Sequence, residues 1–311
     1  MNGRKTVVGL GELLWDLLPA GERLGGAPAN FSVMTARLGN HGVVASRLGA
    51  DMRGDLARGV LNNFLVDLAF LQTAPRADLD QPTGTVGVEI AGGEPRYVIH
   101  APAAWDFLEW TPEWRTLAAE SDAVCFGTLA QRERLSCKTI GCFLRATRPE
   151  CVRVFDVNLR APFFSAEVIA ESLEFATIFK LNQDEVSTVL QMLRAPAKTA
   201  TVRAEIDLPR AAGWLMARYP MQMVAVTLGA EGSLLVTRDA VHRHPGVATK
   251  VVDTVGAGDA FTAALVDAYL RGATLAAMNE AANRWGARVA SQPGAMLEMD
   301  AVARADLAVR L

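Results

Sequence analysis

The chain has 311 residues, half of them hydrophobic, with 21% charged and a formal net charge of −3. These values exclude disorder, which needs low hydrophobicity and high charge, and a dedicated polyanion binder, which shows a basic excess. The length allows one large α/β domain or two ordinary ones, with ample apolar surface for a core. In chain order, residues 6–10 (TVVGL) read as a first strand, and residues 29–38 have helical spacing that stops at Gly39-Asn40, a C-cap signal. A short strand at 42–46, a helix at 51–62 and a strand-like run at 68–71 follow.

Residues 83–100 break this rhythm. They alternate apolar and polar positions around Gly92-Gly93, which predicts a β-hairpin, and residues 12–18 are placed as a strand beside it. Further on, buried strands are expected at 122–126, 152–156, 177–181 and 223–228. Helical patterns lie at 133–147, 167–175, 185–193 and 208–218, and residues 195–201 read as a surface loop. The alternation predicts an α/β fold, a mostly parallel central sheet with helices on both faces. Ligands of such sheets sit beyond the carboxyl ends of the strands. The hairpin is expected either as an edge feature or as a lid or dimer surface.

The N-terminal segment does not read as a signal peptide, because Glu12 and Asp16 interrupt its apolar run. No stretch approaches the ~18 uninterrupted apolar residues of a membrane helix. The four cysteines form no CxxC pair and have no clustered histidines, which argues against structural zinc. Cys125 and Cys151 read as small core residues, and a reducing cytoplasm is the expected compartment.

The segment that carries chemistry is 251–261, VVDTVGAGDAF. A strand-like Val251-Val252 pair leads into Gly256-Ala257-Gly258 and a long helix. Small residues at a helix N-terminus let orphan amides and the positive end of the dipole converge on an anion. Asp259 would repel a simple phosphate. It makes sense there if it takes a proton from a hydroxyl while the amides of Ala257 and Gly258 hold charge on a transferring phosphoryl group. As a plain alternative, it is a first-turn carboxylate favoured by the dipole. No GxxxxGK[ST], complete GxGxxG, HRD or DFG element is present, so a phosphoryl-transfer site must be of another type.

Asp253-Thr254-Val255-Gly256-Ala257-Gly258-Asp259 resembles the second signature of the ribokinase-like (PfkB) carbohydrate kinases. Gly25-Gly26-Ala27-Pro28-Ala29-Asn30, Leu38-Gly39, Gly49-Ala50-Asp51 and Gly54 resemble the first. Between them, Asn182-Gln183-Asp184-Glu185 is similar to the family's NxxE, and Thr227-Leu228-Gly229-Ala230-Glu231-Gly232 to its strand-turn. Gly11-Glu12-Leu13-Leu14-Trp15-Asp16, Thr83-Gly84-Thr85-Val86, Ala104-Trp105-Asp106, residues 127–132 and Phe155-Asp156-Val157-Asn158-Leu159-Arg160 resemble the bacterial fructokinase-like subgroup. The resemblance spans nearly the whole chain. It implies a single ribokinase-like three-layer α/β/α domain with a small β-sheet lid formed by about 12–18 and 83–100.

It also implies roles. Asp259 is the general base, with Gly256, Ala257 and Gly258 as the anion hole. Asp16, Gly25, Gly26 and Asn30 contact the sugar, although Asp16 also reads as a solvated strand end, Gly25 and Gly26 as an ordinary turn, and Asn30 as a tolerated polar residue in the first helical turn. Asn182 and Glu185 lie near the metal-bound phosphates, with Glu185 acting through water on Mg²⁺; the same two residues read as a helix capping box. Thr227, Gly229 and Gly232 shape the nucleotide turn, or simply a hairpin. Asn283 and Gln292-Pro293-Gly294-Ala295 wall the adenine, and Asp253 holds a monovalent cation such as K⁺.

Arg160 near the sugar would admit an acidic substrate. Surface solvation is the other fate of Arg160 and of Arg96. Trp15 and Trp105 are open to sugar stacking, a core role or a dimer role. The expected activity is ATP- and Mg²⁺-dependent phosphorylation of a primary hydroxyl, with fructose as acceptor. The rivals are 2-keto-3-deoxygluconate, ribose and a nucleoside, with a non-catalytic sensor as a remote alternative. The expected partners are the sugar and ATP and a possible homodimer through the lid, with no nucleic acid and no membrane.

Overall fold

A computed structural model describes residues 4–19, 21–75, 80–91, 94–196 and 207–296. The Gly92-Gly93 turn, the side chain of Arg96 and most of the expected 195–201 loop lie outside the described residues. The chain opens with strands β1 (Thr6–Leu10), β2 (Leu14–Leu18) and β3 (Gly21–Gly25), then helix α1 (Ala27–Arg37), β4 (His41–Leu48), α2 (Met52–Asn62) and β5 (Leu71–Thr73). A hairpin of β6 (Gly84–Ala91) and β7 (Glu94–Ile99) follows, then α3 (Pro112–Glu120), β8 (Ala123–Phe126), α4 (Arg134–Ala146), β9 (Val152–Asp156) and α5 (Ala166–Phe175). The remainder is β10 (Ile178–Asn182), α6 (Gln183–Met192), α7 (Leu208–Arg218), β11 (Met223–Thr227), β12 (Ser233–Thr237), β13 (Val241–His244), α8 (Ala257–Leu270) and α9 (Leu275–Ala290).

Nine strands form the central sheet in the order β13-β12-β11-β10-β9-β8-β1-β4-β5. All neighbours run parallel except β11-β12 and β12-β13, an antiparallel edge. The central strands are short apolar runs buried on both faces, as parallel strands must be. On one face, Phe126, Phe155 and Phe179 stack across β8, β9 and β10 with ring centroids 5.2 and 5.5 Å apart. Such pairs contribute ~1 kcal/mol each beyond burial. On the other face lie Val152, Val154, Ile178, Met223 and Ala225, covered by α8 and α9. α8 is rich in buried alanine (Ala260, Ala263, Ala264, Ala268), which lets it lie close to α1 and α9.

A second, four-stranded sheet has the order β3-β2-β6-β7. β2 joins β6 in parallel and the other pairs are antiparallel. Asp51, the N-cap of α2, also accepts from the backbone N–H of Thr83 (2.7 Å) and from its hydroxyl (2.7 Å), which moors β6. Arg132 forms a buried bidentate pair with Asp106 (2.8 and 2.7 Å), donates to the carbonyl of His100 just after β7, and lies 3.9 Å from the centre of the Trp105 ring. Trp105 is fully buried and Trp15 is 7% exposed with its indole N–H on the Arg53 carbonyl, so both serve the core. Cys125 and Cys151 are buried core residues as well.

Three expectations are corrected. Residues 68–71 contribute a strand only from Leu71 onward, because Leu68 to Phe70 form the turn that leads into it. Val251 and Val252 are not in a strand; both are 56% exposed, and only Val252 reaches the fold, through its N–H on the Ala290 carbonyl. The small sheet includes β3, which residues 12–18 and 83–100 alone do not cover. The antiparallel edge β12-β13, α3 and α9 were also not anticipated. No helix among the described residues is long and apolar enough to cross a membrane.

Candidate active site

β1 lies between β4 and β8, so the chain turns one way after β1 and the other way from β8 onward. Ligands bind at such a switch point, beyond the carboxyl ends of the strands. Here those ends deliver Glu12 after β1, Thr128 after β8, the 156–160 segment from β9, Asn182 from β10 and Thr227 from β11. Glu12, Pro28, Thr128, Asp156, Asn158 and Asp259 line a cavity of about 10 Å³ at this point. That is roughly the room of one water molecule.

The N-terminus of α8 completes the site. Its N-cap Gly256 is left-handed (φ 77°), and a side chain there would meet Ala295. The helical ladder begins with the Ala260 N–H on the Gly256 carbonyl (2.9 Å), so the amides of Gly258 and Asp259 precede it. Ala257, expected as a second donor beside Gly258, gives its N–H to the Thr254 carbonyl at 3.2 Å. The amides available to an anion are therefore those one residue further into the helix.

Asp259 is joined to α1 by Asn30, whose Nδ2 donates to Asp259 Oδ2 at 2.8 Å. Asn30 is 4% exposed, and its Oδ1 has no partner among the described residues. Burial, followed by the nearby Asp156 charge, raises the Asp259 carboxyl to about 6, against the lowering effects of Asn30, Lys180 and Arg160. Glu12 is 4% exposed, with an Oε2 that has no partner among the described residues. Burial raises it to about 7; its own amide, Arg160 and the Ala27 amide oppose the rise and Asp259 adds to it.

Of the residues expected to contact a sugar, Asp16 lies on β2, half-buried, with its carboxyl raised by burial against the opposing effect of Arg160. A side chain at Gly25 would come 2.8 Å from Asp16 Oδ2. Gly26 caps α1 at φ 108°, and a side chain there would lie 2.6 Å from the Glu12 carbonyl. Gly26 thus needs glycine for close approach, whereas at Gly25 only the end of the Asp16 side chain would have to move. Arg160 is exposed, donates to its neighbour Leu159 carbonyl at 3.1 Å, and acts electrostatically on Asp16, Glu12 and Asp259.

Of the residues expected near phosphates, Asn182 and Glu185 form the capping box: Asn182 Oδ1 accepts from the Glu185 N–H (3.0 Å) and Glu185 Oε2 accepts from the Asn182 N–H (2.8 Å). Glu185 Oε1 accepts from the Leu159 N–H at 2.8 Å, and burial raises its carboxyl. Each carboxylate oxygen keeps a lone pair for a water on a metal, so this residue fits Mg²⁺ indirectly. Thr227 ends β11, and Gly229 (φ 60°) and Gly232 (φ 87°) form the turn into β12, where a side chain at Gly232 would strike the His244 carbonyl.

Asn283, expected beside the adenine, donates through its amide to Ser233 (2.7 Å) on β12 and to the Asn279 carbonyl (2.7 Å). Asp253 accepts from the N–H groups of Val255 and Gly294 (both 3.0 Å) and pairs with Arg23 at 3.2 Å. Burial pushes its carboxyl up, but these bonds together outweigh it and hold it below the usual range. A cation on Asp253 would have to compete with Arg23. The 292–295 segment does reach the site, through Gly294 on Asp253 and Ala295 against Gly256.

Three residues of the site had no role from sequence: Glu12, Asp156 and Lys180. All sit inside quoted motifs or expected strands, and only burial distinguishes them. Lys180 on β10 is 7% exposed and lies 3.1 Å from Asp156 on β9. Burial opposes its charge, yet Asp156, Asp259 and Glu185 together hold it above an ordinary lysine.

The site thus places the Asp259 carboxylate, joined to Asn30, beside the first amides of α8. Residues 20–301 match the description "pfkB family carbohydrate kinase", and the chain belongs to that family. It is 32% identical over 272 residues to a fructokinase of Escherichia coli, covering 83% of this chain and 82% of the other. It is 29% identical over 331 residues to aminoimidazole riboside kinase of Salmonella typhimurium, covering 95% and 92%. The structure of fructokinase with bound ATP from Xylella fastidiosa superposes with a TM-score of 0.81 at 21% identity, covering 98% of each chain. The fold is ribokinase-like, and the protein is a carbohydrate kinase, a phosphotransferase.

Proposed function

We propose that this kinase transfers the γ-phosphoryl group of ATP to a primary hydroxyl of a neutral monosaccharide, with fructose as the acceptor. The Asn30–Asp259 bond beside the first amides of α8 carries this reading. Asp259 takes the hydroxyl proton as the oxygen attacks, while the amides of Gly258 and Asp259 hold the growing negative charge. Asn30 orients the carboxylate, and its free Oδ1 accepts a second sugar hydroxyl. Asp16 accepts further sugar hydroxyls, with Gly25 and Gly26 letting the ring approach the backbone.

ATP lies along Asn182, Thr227, Gly229, Gly232 and the 292–295 segment. Glu185 would hold Mg²⁺ through water, and the ion would supply neutralisation of phosphate charge. The small sheet serves as a lid that excludes water, which would otherwise accept the phosphoryl group. We place the enzyme in the cytoplasm. We read the outer face of the lid as a homodimer contact, for which sedimentation at micromolar concentration is the check.

Three carboxyls, Asp16, Glu12 and Asp259, surround the acceptor site against one Arg160. That balance favours a neutral sugar over a keto-acid. The fructokinase likeness points the same way. The second reading, 2-keto-3-deoxygluconate, rests on the exposed Arg160 guanidinium, which has donors to spare for a carboxylate. A nucleoside acceptor is the third, by likeness to the riboside kinase. An ATP-consumption panel over fructose, ribose, 2-keto-3-deoxygluconate and nucleosides, with and without potassium, decides among them. Inert fructose beside turnover of the keto-acid or a nucleoside overturns the fructose assignment. Asp259→Asn is expected to lower kcat by ~10²-fold or more with sugar binding intact; near-normal turnover removes Asp259 as the base.

A further inference from the structure

Lys180 and Asp156 stand opposite each other in the β10-β9 register, on a face otherwise made of Val154, Ile178, Met223 and Ala225. Burying a lysine among such residues costs several kcal/mol unless it is paired. One carboxylate is enough to pair it, yet the charges of three, Asp156, Asp259 and Glu185, favour its ammonium form. The site thus gathers carboxylates where a phosphoryl group must arrive, and Lys180 is the buried cation among them.

Its place under α8 is specific. A side chain added at Gly258 would sit 3.1 Å from Lys180 Nζ. Gly258 has no positive φ, so its backbone does not demand glycine. What the missing side chain permits is close approach of the ammonium to the first helical turn. The Thr262 hydroxyl, one turn further along α8, lies 3.1 Å from Asp156 Oδ2 and 2.9 Å from the Gly258 carbonyl, which ties the ion pair to that turn.

We propose that Lys180 is a positioning residue for phosphoryl transfer: held by Asp156 beneath Gly258, it backs the anion-binding turn with positive charge and favours the carboxylate form of Asp259. This rests on Asp259 being the base. The other charged or titratable groups around the pair are Glu12, Cys125, Glu185 and Arg160. Glu12 and Cys125 are buried, and Arg160 is exposed.

The test is kcat against pH for the wild type, Lys180→Met and the double variant Asp156→Asn/Lys180→Met. The wild type is expected to lose activity on the acid side with a midpoint near 6, where Asp259 takes its proton. In Lys180→Met that midpoint moves up by about one pH unit, because Asp259 then faces an unpaired Asp156. The plateau kcat falls by ~10- to 100-fold while the sugar KM stays within about threefold. The double variant loses one charge that raises Asp259 and one that lowers it, so its midpoint returns toward the wild type, but its plateau stays at least ~10-fold low. It also leaves no lone buried charge, so it carries the test if the single variant does not fold. A double variant with an unchanged plateau, or a folded single variant with an unmoved midpoint, overturns the proposal. The underlying base assignment fails separately, if the wild type shows no acid limb or Asp259→Asn keeps its turnover.

Discussion

Asn30 and Asp259 are 229 positions apart in sequence and 2.8 Å apart in space, with the amide of one donating to the carboxylate of the other. The bond fixes the first turn of α1 against the first turn of α8, the two helices whose N-termini face the switch point of the sheet. It also stabilises the charged form of Asp259, against a burial effect that raises the carboxyl to about 6.

Asn30→Ala is therefore expected to move the acid limb of kcat upward from about 6 and to lower kcat at pH 7 by ~10-fold. The sign follows from the bond: without the donor, the neutral carboxyl is favoured and the base ionises at higher pH. Asn30→Asp is expected to move the limb further, since a second carboxylate repels the first. A kcat profile from pH 5 to 9 at saturating ATP and sugar checks both. A limb that stays in place in both variants shows that Asn30 does not tune the base.

Glu12 gives a pH dependence of stability with a definite direction. Its carboxyl is raised from 4.5 to about 7, chiefly by burial. Below 4.5 it is protonated in both folded and unfolded chains, and its contribution is fully present. As pH rises to 7 the unfolded chain ionises while the folded one resists. The contribution is lost across that window, by an amount on the order of 3 kcal/mol. Asp259 and Asp16 are raised too, so the wild type slopes the same way for more than one reason. Glu12→Gln isolates this residue: urea unfolding at pH 5 and pH 8 is expected to show a smaller difference in the variant. Equal differences in the two proteins refute the assignment.

The Arg132–Asp106 pair tests what supports the small sheet. Both side chains are at most 3% exposed, and the pair lies under Trp105 with a further bond to the His100 carbonyl. Breaking a buried pair leaves a lone charge and costs about 3–5 kcal/mol. Arg132→Met is expected to lower stability by that amount. The double variant with Asp106→Asn is expected to recover much of it. Urea unfolding of the single and double variants measures this, and a loss that is equal in both refutes the ion-pair account.

Much of the central sheet was legible because its strands are apolar runs that differ sharply from the amphipathic helices between them. Thr6–Leu10, Val152–Asp156 and Leu208–Arg218 have the bounds the pattern predicts. β3 was missed because GERLG is polar and glycine-flanked; its pairing to Leu14–Leu18 is a tertiary fact that no local period encodes. The strand reading of Val251-Val252 failed for the converse reason, as two β-branched residues with no neighbouring strand to pair with remain exposed. At the site, glycines and motif carboxylates announced themselves by spacing. Glu12, Asp156 and Lys180 did not, because a charged residue at the end of a strand looks the same whether it meets solvent or another charge. The bond from Asn283 to Ser233, which holds α9 to β12, is likewise a tertiary contact that no local pattern encodes.

The Arg23–Asp253 contact joins β3 of the small sheet to the loop before α8, across 230 positions of sequence. The partners are 46% and 22% exposed at the side chain, so the pair is screened and contributes at most ~1 kcal/mol to stability. On the proposed lid role of the small sheet, its effect belongs to closure, where a small energy shifts the balance between open and closed forms without threatening the fold. Arg23→Ala is expected to leave the melting temperature within a few degrees. It is expected to raise the sugar KM by about threefold, since closure no longer gains the contact. The wild-type KM is expected to rise with added salt, as an exposed pair weakens under screening, whereas the variant is expected to be flat. Steady-state kinetics at low and at 0.5 M salt distinguish these cases. A variant whose KM keeps the wild-type salt dependence would show that the contact does not contribute to closure.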